Sequence, residues 1–320
     1  MDDFNGFHIV DTNYIHKCKS YINTMLTGQQ WSGINKSDID RWIENFKDVS
    51  EEERSIVYKL LSKLIYFSER DVENLLRDMI KNRLFSKIIL EQQVKNDFQL
   101  SQKALQNIIF KEIEKSCFIP LLDSDSPHES GNYVNRLLVQ KQIILTEQSF
   151  FKHKLIEKIQ MHGYKRIVIV DDCIGSGQQI TSFWNEETII DAEGKEKLLK
   201  EWTLENNIEV FYLALFAYKE TFNKLQRSLE GISVHCAILL DKELRVFEEN
   251  SYMWDSQEEF EFGCEFLERI TSENGIELKG YAGLDFAFIM HQTIPDWSLP
   301  LFWRENADWN CLLRRKNSNG

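Results

Sequence analysis

The sequence predicts an α/β fold, with a mainly parallel sheet within residues 115–320 and a helical N-terminal domain over residues 1–114. Two observations support this prediction. Capped amphipathic helical patterns fill the first third of the chain, and after residue 115 short apolar runs alternate with helical stretches. The inner apolar runs contain few polar residues, which is typical of parallel strands buried on both faces.

The helices of the first third are marked by their start signals. Three segments place a serine three residues before a carboxylate, the pattern of a capping box: Ser37 before Asp40, Ser50 before Glu53, and Ser68 before Asp71. Apolar residues recur at helical spacing from Ile56 to Ile65 and again from Val72 to Ile80. These patterns predict amphipathic helices with one buried face.

The strands of the sheet are predicted from four apolar runs. These are Cys117 to Leu122, Arg166 to Val170, Val210 to Ala217 and Val234 to Leu240. Helical stretches are predicted near residues 149–161 and 220–229, between successive runs. Because ligands of doubly wound sheets bind at the carboxyl ends of the strands, the loops after these runs are the places to look for a site.

Composition narrows the class of protein. The 320 residues include 42% hydrophobic residues and carry a formal net charge of −13, so direct charge attraction to nucleic acid is not expected. Six cysteines are scattered without a CxxC pair, which argues against a structural zinc site and a disulfide framework. With no long apolar stretch and no basic leader, we expect a cytoplasmic protein that does not insert into a membrane.

The loop after the second apolar run, Arg166 to Val170, gives the clearest indication of a ligand site. Asp171 and Asp172 follow the apolar residues of that run, and Gly175-Ser176-Gly177 leads into a helix expected to begin near Gln178. Two carboxylates at a strand end can accept hydrogen bonds from paired ribose hydroxyls, directly or through Mg²⁺. The glycine turn and the helix start present backbone N–H groups that suit a phosphate.

Other interpretations of this loop remain open. The two acids could simply end a strand and cap a helix. They could also end a Walker B strand, but that requires a G-x-x-x-x-G-K-S/T loop, which the sequence lacks. A phospho-acceptor aspartate would not normally be followed at once by a glycine-rich turn.

The order of strand, Asp171, Asp172, Ile174, Ser176 and Gly177 resembles the signature loop of the type I phosphoribosyltransferases. The resemblance implies that the two acids contact the ribose hydroxyls and hold Mg²⁺, and that they are the catalytic residues if the protein is an enzyme. It also implies a 5′-phosphate loop, formed by Gly175, Ser176, Gly177, Gln178, Gln179 and Thr181. The sequence departs from that family at Gln179, where a threonine is usual.

The same family carries a pyrophosphate loop after an earlier strand. Here Cys117 to Leu122 is followed by a polar segment over residues 123–132, in which Ser130 and Gly131 are the candidate contacts, with Arg136 as the nearest basic residue. The acids of this segment disfavour a pyrophosphate that is not accompanied by a metal ion. The segment could equally be a plain connection.

Aromatic residues near the C-terminus form a second group. Trp297 and Trp303 could cover a base by stacking, or could pack on the sheet edge. Together with the helical first third and the Asp-Asp loop, this region resembles the phosphoribosyltransferase-like conflict-effector family of bacteria, from residue 39 to the end. Pro295-Asp296-Trp297 stands where that family usually has Pro-Asn-Asn, so the chain resembles a divergent member.

This second resemblance implies an effector of antiviral defence that binds a nucleotide or phosphoribosyl pyrophosphate. A partner protein from the defence system is then expected to bind the helical N-terminal domain. Three functions remain open: an enzyme that makes or breaks the bond at ribose C1′, a non-catalytic nucleotide sensor, and a protein-interaction module with a vestigial pocket.

Overall fold

The computed structural model describes residues 12–122, 130–291 and 293–314. The helices are α1 Thr12–Thr27, α2 Lys36–Glu44, α3 Glu51–Ser62, α4 Glu69–Asp78, α5 Ser86–Lys95, α6 Gln102–Glu114, α7 Ser130–Gln140, α8 Leu155–His162, α9 Gln178–Glu186, α10 Leu199–Glu205, α11 Lys219–Ser228 and α12 Gln257–Glu273. The strands are β1 Ile65–Phe67, β2 Ser116–Pro120, β3 Arg166–Ile174, β4 Thr188–Ile190, β5 Glu196–Leu198, β6 Glu209–Tyr218, β7 Ser233–Leu240 and β8 Phe288–Met290.

The chain divides into two compact units. The first unit contains the residues up to 71 together with those from 241 onward, and the second contains residues 72–240. This division differs from the predicted boundary between residues 114 and 115. The cause is long-range pairing within the first unit, where β1 pairs in parallel with β8, and this pairing leaves no mark on local sequence patterns.

The second unit is built on a four-stranded parallel sheet in the order β2-β3-β6-β7. All four predicted strand runs are present, and their pairing is parallel throughout. The protein therefore has the predicted α/β fold. β4 and β5 form a separate antiparallel hairpin.

The two inner strands of this sheet are almost entirely buried. From Val168 to Val170 β3 is fully inaccessible, and β6 is buried from Tyr212 to Tyr218. Ile167, Ile169 and Tyr212 lie in one core cluster with apolar residues of α8, α9, α10 and α11. Burial of this kind explains why the runs contain few polar residues.

The core of the first unit is aromatic and joins residues far apart in sequence. Trp42 of α2 stacks on Phe302, with ring centroids 5.5 Å apart, and Phe46 meets Trp309 edge to face at 5.2 Å. The indole N–H groups of Trp42 and Trp309 both donate to the carbonyl oxygen of Leu301. Both ends of the chain therefore contribute to one hydrophobic core.

Two of the three predicted helix starts are confirmed. Ser50 and Glu53 form a reciprocal capping box at α3, and the backbone and side chains of Ser68 and Asp71 exchange the same bonds before α4. At α2 the prediction of Ser37 as the cap is wrong, because the helix begins at Lys36, two residues earlier than a cap at Ser37 would place it, and is capped by Asn35. The Asn35 side chain accepts from the backbone N–H of Asp38, a bond that a serine two residues later cannot supply.

Among the residues that the structure describes, no helix is both long enough and apolar enough to cross a membrane.

Candidate functional site

The centre of the candidate site is the segment that joins β3 to α9. The predicted order of strand, glycine turn and helix is present, and α9 begins at Gln178 as expected. β3 nevertheless continues four residues beyond the predicted end at Val170, because β6 stays alongside it and pairs Cys173 with Phe216 and Ile174 with Ala217. The two acids therefore lie inside the strand and do not follow it.

Gly177 forms the turn between strand and helix. Its φ of +74° lies in the left-handed region, which glycine enters without steric cost. A Cβ atom at this position would also lie 2.8 Å from Cγ2 of Thr221 and 3.1 Å from the methyl carbons of Leu225, both on α11. Glycine is therefore required at residue 177 for both conformation and space.

The polar groups of the turn are partly engaged with one another. The Ser176 hydroxyl accepts a hydrogen bond from the backbone N–H of Gln178 at 3.3 Å, and the side chain of Ser176 is exposed. The Thr181 hydroxyl donates to the carbonyl oxygen of Gly177 at 2.7 Å, so this predicted phosphate contact serves the first turn of α9. Gly175 is buried, Gln178 is exposed and Gln179 is half-buried. The exposed Ser176 hydroxyl and the N-terminus of α9 are the features that suit an anion.

Both acids of the pair are buried, since Asp172 is only 5% exposed. Asp171 is only 1% exposed, and its carboxyl oxygens accept hydrogen bonds from the Tyr212 hydroxyl at 3.0 Å and from the backbone N–H of Asp172 at 2.8 Å. Burial and the like charge of Asp172 raise the pKa of Asp171 well above its usual value. Asp171 thus favours its protonated form to a higher pH than an ordinary carboxyl group does.

Tyr212 is the site residue that sequence analysis missed. It lies on β6 in register with Ile169, is itself buried, and contacts Asp171 from the neighbouring strand. The signal was present in the sequence, since a tyrosine inside an otherwise non-polar run usually finds a hydrogen-bond partner when that run is buried. The register that brings Tyr212 to Asp171 could not be derived from the sequence.

The predicted pyrophosphate loop falls largely outside the described residues, which resume at residue 130, where α7 begins. A Cβ atom at Gly131 would lie 2.4 Å from the carbonyl oxygen of Leu121 and 3.2 Å from that of Val170. Because Gly131 has no side chain, the start of α7 can lie close to Leu121, just after β2, and to Val170 of β3, just before the acid pair. Arg136 lies on an exposed side of α7, with its guanidinium 5.9 Å from the ring centre of Tyr133.

The predicted base lid belongs to the first unit, whereas the acid pair belongs to the second. The ring of Trp297 is buried between Phe286, at an edge-to-face angle, and Phe288, in a stacked arrangement, both at 5.2 Å. Trp303 is also buried and donates its indole N–H to the carbonyl oxygen of Ser298. Of the two interpretations that the sequence allowed, this geometry favours packing over stacking on a base.

The fit of Mg²⁺ can be judged from the donor set. No group of three or more histidine, cysteine, aspartate or glutamate side chains that could hold a metal occurs in the described ranges. Mg²⁺ often keeps several waters and takes one or two carboxylates together with substrate phosphates. The buried acid pair could supply one or two such carboxylates, but the raised pKa of Asp171 makes its carboxyl group the poorer ligand of an ordinary metal site.

Comparison with known proteins adds one finding. A family model described as PRTase-CE matches residues 39–315 of the chain. No curated protein and no solved structure matches the chain.

Proposed function

The chain belongs to the PRTase-CE family of phosphoribosyltransferase-like conflict effectors, and from this membership we propose that its second unit binds the ribose-phosphate group of a nucleotide or of phosphoribosyl pyrophosphate. The observation that carries the proposal is the segment from Asp171 to Gln178. It places an acid pair, a glycine turn and a helix N-terminus in direct succession at the carboxyl end of an inner parallel strand.

In the proposed complex, different polar groups of this segment bind the phosphate and the ribose of the ligand. The N-terminus of α9 and the Ser176 hydroxyl bind the 5′-phosphate, because backbone N–H groups and the helix dipole both favour an anion there. The Asp172 carboxylate accepts hydrogen bonds from the ribose hydroxyls. Asp171 supports Asp172 from inside the sheet, where Tyr212 and the backbone N–H of Asp172 fix its carboxyl group.

If the protein is an enzyme, its reaction makes or breaks the bond at ribose C1′. The sugar then passes through a cationic, oxocarbenium-like state, which a nearby carboxylate stabilises. Asp172 is the residue that can supply that charge. Mg²⁺ bound with the substrate would neutralise part of the phosphate charge, and Asp172 is the side chain that would hold it.

The biological part of the proposal rests on family membership alone. We propose a role in bacterial antiviral defence, with a partner protein that recognises the N-terminal helices α1, α2 and α3. These helices belong to the first unit, whereas the acid pair belongs to the second. Ligand binding and partner binding would then be tasks of different units.

One observation favours the alternative of a non-catalytic nucleotide sensor. Burial and the neighbouring Asp172 raise the pKa of Asp171, so this acid keeps its proton to a higher pH than an ordinary carboxyl group does. An uncharged carboxyl group can still order the site through hydrogen bonds, but it contributes little to stabilising a developing cation. The replacement of the usual threonine by Gln179 also weakens the expected phosphate contacts.

A thermal-shift screen tests the proposed ligand class. Purified full-length protein is mixed with phosphoribosyl pyrophosphate, nucleoside mono- and triphosphates, and NAD, each with and without Mg²⁺. A ligand at about 100 times its dissociation constant should raise the free energy of unfolding by about 2.7 kcal/mol. We expect that stabilisation with at least one of these ligands.

Two variants give the screen its specificity. Asp172→Asn should abolish the stabilisation, whereas Glu201→Gln, which removes one exposed carboxylate on α10, should keep it. A failure of every ligand to shift unfolding of the wild type would overturn the proposal. If a ligand does bind, release of its base or transfer of its ribose identifies an enzyme, and binding without turnover identifies a sensor.

A further inference from the structure

A second group of polar side chains lies in the first unit, where the parallel strands β1 and β8 end. Glu69 follows β1 and His291 follows β8, and the backbone N–H of His291 donates to the carbonyl oxygen of Phe67 at 2.8 Å. Ser32 reaches His291 from the turn after α1. The carboxyl ends of parallel strands are common places for ligand sites, and ribose-phosphate binding uses none of these residues.

Ser32, His291 and Glu69 are arranged in series. The Ser32 hydroxyl oxygen lies 3.0 Å from Nδ1 of His291, and Nε2 of the same ring lies 3.6 Å from Oε2 of Glu69. Ser32 is exposed, whereas only 13% of the His291 side chain is exposed. An accessible hydroxyl, an imidazole within hydrogen-bond reach of it and a carboxylate on the far side of the ring are the parts of an activated serine nucleophile.

The Glu69 carboxylate favours one tautomer of His291. Because it lies near Nε2, it favours the ring proton on that nitrogen, which leaves Nδ1 to accept the proton of Ser32. The two ring nitrogens thus exchange the roles that they have in the usual Ser-His-Asp arrangement, while the direction of proton transfer is the same. At 3.6 Å Glu69 acts on the ring through its charge, since a hydrogen bond requires about 3.2 Å or less.

Gly33 holds Ser32 against His291. A Cβ atom at Gly33 would overlap with the carbonyl oxygen of His291 and lie 2.9 Å from the Tyr66 hydroxyl oxygen, so only a residue without a side chain lets the backbone come so close. The backbone N–H of Gly33 donates to the Tyr66 hydroxyl at 2.7 Å. The contact between Ser32 and His291 is therefore fixed by the backbone of the turn as well as by the two side chains.

Two hydrogen-bond donors near the Ser32 hydroxyl suit the oxygen of an attacked carbonyl group. The first is the backbone N–H of Ser32 itself, which has no hydrogen-bond partner among the described residues. The second is Tyr66, whose pKa is raised by burial, although hydrogen bonds from the backbone N–H of Gly33 and from the Ser32 hydroxyl oppose the rise. Tyr66 therefore keeps its proton at neutral pH and can donate it to a developing oxyanion.

We propose that Ser32 is the nucleophile of a carboxylic-ester hydrolase site, with His291 as its general base and Glu69 as the residue that positions His291. The chain carries a formal net charge of −13, and Glu69 places one of its carboxylates at the site. Anionic esters are therefore disfavoured, and uncharged or cationic esters are the expected substrates. The proposal does not depend on ribose-phosphate binding, because all of these residues belong to the first unit.

The reaction has two steps that use the same proton path. The Ser32 oxygen attacks the carbonyl carbon of the ester while its proton passes to Nδ1 of His291. The bond to the alcohol oxygen then breaks, and His291 gives the proton to that oxygen. In the second step water attacks the acyl group on Ser32, Nδ1 takes a proton from the water, and this proton returns to the Ser32 oxygen as the acid leaves. One ester and one water thus give one acid and one alcohol.

A fluorophosphonate probe tests whether Ser32 is nucleophilic. Such a probe bonds to the oxygen of an activated serine with loss of fluoride, and mass spectrometry of a digest locates the adduct. On the full-length protein we expect an adduct on Ser32 and hydrolysis of 4-nitrophenyl acetate, an uncharged ester. Ser32→Ala should abolish the adduct and slow hydrolysis at least about 100-fold. Ser20→Ala, which removes another exposed serine hydroxyl of the first unit, should change neither.

Variants of the other two residues separate catalysis from a structural role. His291→Gln should slow labelling and hydrolysis at least about 100-fold, because the general base is lost. Glu69→Gln should slow them about tenfold, because the charge that favours the reactive tautomer and the imidazolium is lost, and Glu69→Asp, which keeps that charge, should lose less. Thermal unfolding of both Glu69 variants should match the wild type, since 43% of this side chain is exposed.

An adduct on Ser32, together with hydrolysis that falls in Ser32→Ala, supports the proposal. An unlabelled wild-type protein, an adduct only on another residue, or hydrolysis that Ser32→Ala leaves unchanged would overturn it, and so would a labelled protein that does not hydrolyse the ester. Equal losses in Glu69→Gln and Glu69→Asp would exclude Glu69 from the mechanism. The adduct is located on the wild type, so the test holds even if His291→Gln folds poorly.

Discussion

The carboxyl group of Asp171 combines burial, two hydrogen bonds and an acidic neighbour within one strand. In water the charged form of a carboxyl group is stabilised by solvation, which Asp171 has almost entirely lost. The Tyr212 hydroxyl replaces part of that solvation. The residue therefore serves better as a fixed support for Asp172 than as a charged contact to a ligand.

This environment predicts a pH dependence of stability. The folded-state pKa of Asp171 is raised above its unfolded value of about 3.9, so the folded protein binds this proton more tightly than the unfolded chain does. The free energy of unfolding therefore falls as pH rises from about 4 through the folded-state pKa. Asp171→Asn removes this contribution, so the stability of the variant relative to the wild type should rise as the pH increases from about 4 through the folded-state pKa of Asp171.

Urea unfolding of both proteins at several pH values measures that difference. The titrating groups that do not contact Asp171 are common to the two proteins and largely cancel, so the difference reports the pair formed by Asp171 and Asp172. Glu201→Gln, which removes an exposed carboxyl group on α10, is measured alongside as the control. A pH-independent difference for Asp171→Asn would show that the buried carboxyl group has an ordinary pKa.

An added methyl group should lower the free energy of unfolding more at Gly177 than at Gly163. Gly177→Ala meets both an unfavourable backbone conformation and the methyl groups of α11, and should lower the free energy of unfolding by about 2 to 3 kcal/mol. Gly163→Ala is the matched control. Gly163 has a similar φ of +67°, but its added Cβ meets nothing within 4 Å, so a loss of about 1 kcal/mol is expected.

Chemical denaturation of the two alanine variants measures both losses. Equal losses would mean that the contact between the turn and α11 is unimportant. If ribose-phosphate binding is established, Gly177→Ala should also weaken it, because the turn that presents Ser176 and the start of α9 would shift. Gly163→Ala, at the end of α8, should leave binding unchanged.

Whole elements of the sheet were predictable from sequence to different degrees. The four apolar runs identified all four strands, because burial on both faces excludes polar residues. The end of β3 was placed four residues early, since Asp171 and Asp172 are polar and the pattern ends there. What keeps them in the strand is the length of β6 and the Tyr212 hydroxyl, neither of which is visible in the residues of β3 itself.

The C-terminal aromatic segment gives a prediction about Trp297. If it is a core residue, as its burial between Phe286 and Phe288 indicates, Trp297→Leu should lower the free energy of unfolding by about 2 to 3 kcal/mol and leave ligand affinity unchanged. Trp254→Leu, at another buried tryptophan of the first unit, should behave in the same way. A loss of affinity for Trp297→Leu alone would restore the base-lid interpretation.

At the scale of the whole molecule, the division of the chain follows long-range pairing and not sequence order. The aromatic core of the first unit needs both α2 and the segment around Phe302, and β1 needs β8. Local sequence patterns do not indicate which distant segments pair or pack together. A domain boundary placed where the helical pattern is replaced by strands therefore takes no account of these long-range contacts. The sequence nevertheless predicted the order of strand, glycine turn and helix from Asp171 to Gln178, because that order is a local motif.

This division makes a prediction about fragments. A fragment of residues 72–240 contains one complete unit and should unfold cooperatively, as followed by circular dichroism. A fragment of residues 115–320 lacks the chain that pairs with β8 and packs against Trp309, and should be largely unfolded or aggregated. Cooperative folding of residues 115–320, with failure of residues 72–240, would support the boundary at 114/115.

Calorimetric titration of phosphoribosyl pyrophosphate into the full-length protein, in the presence of Mg²⁺, tests ribose-phosphate binding most directly. We predict saturable binding to the wild type and to Glu201→Gln, with affinity at least about tenfold lower for Asp172→Asn, because charge-assisted hydrogen bonds to the ribose are lost. If the thermal-shift screen identifies a nucleotide instead, that nucleotide is titrated in its place. Equal affinity of all three proteins, or no binding by any of them, would contradict a ribose-phosphate site at the end of β3.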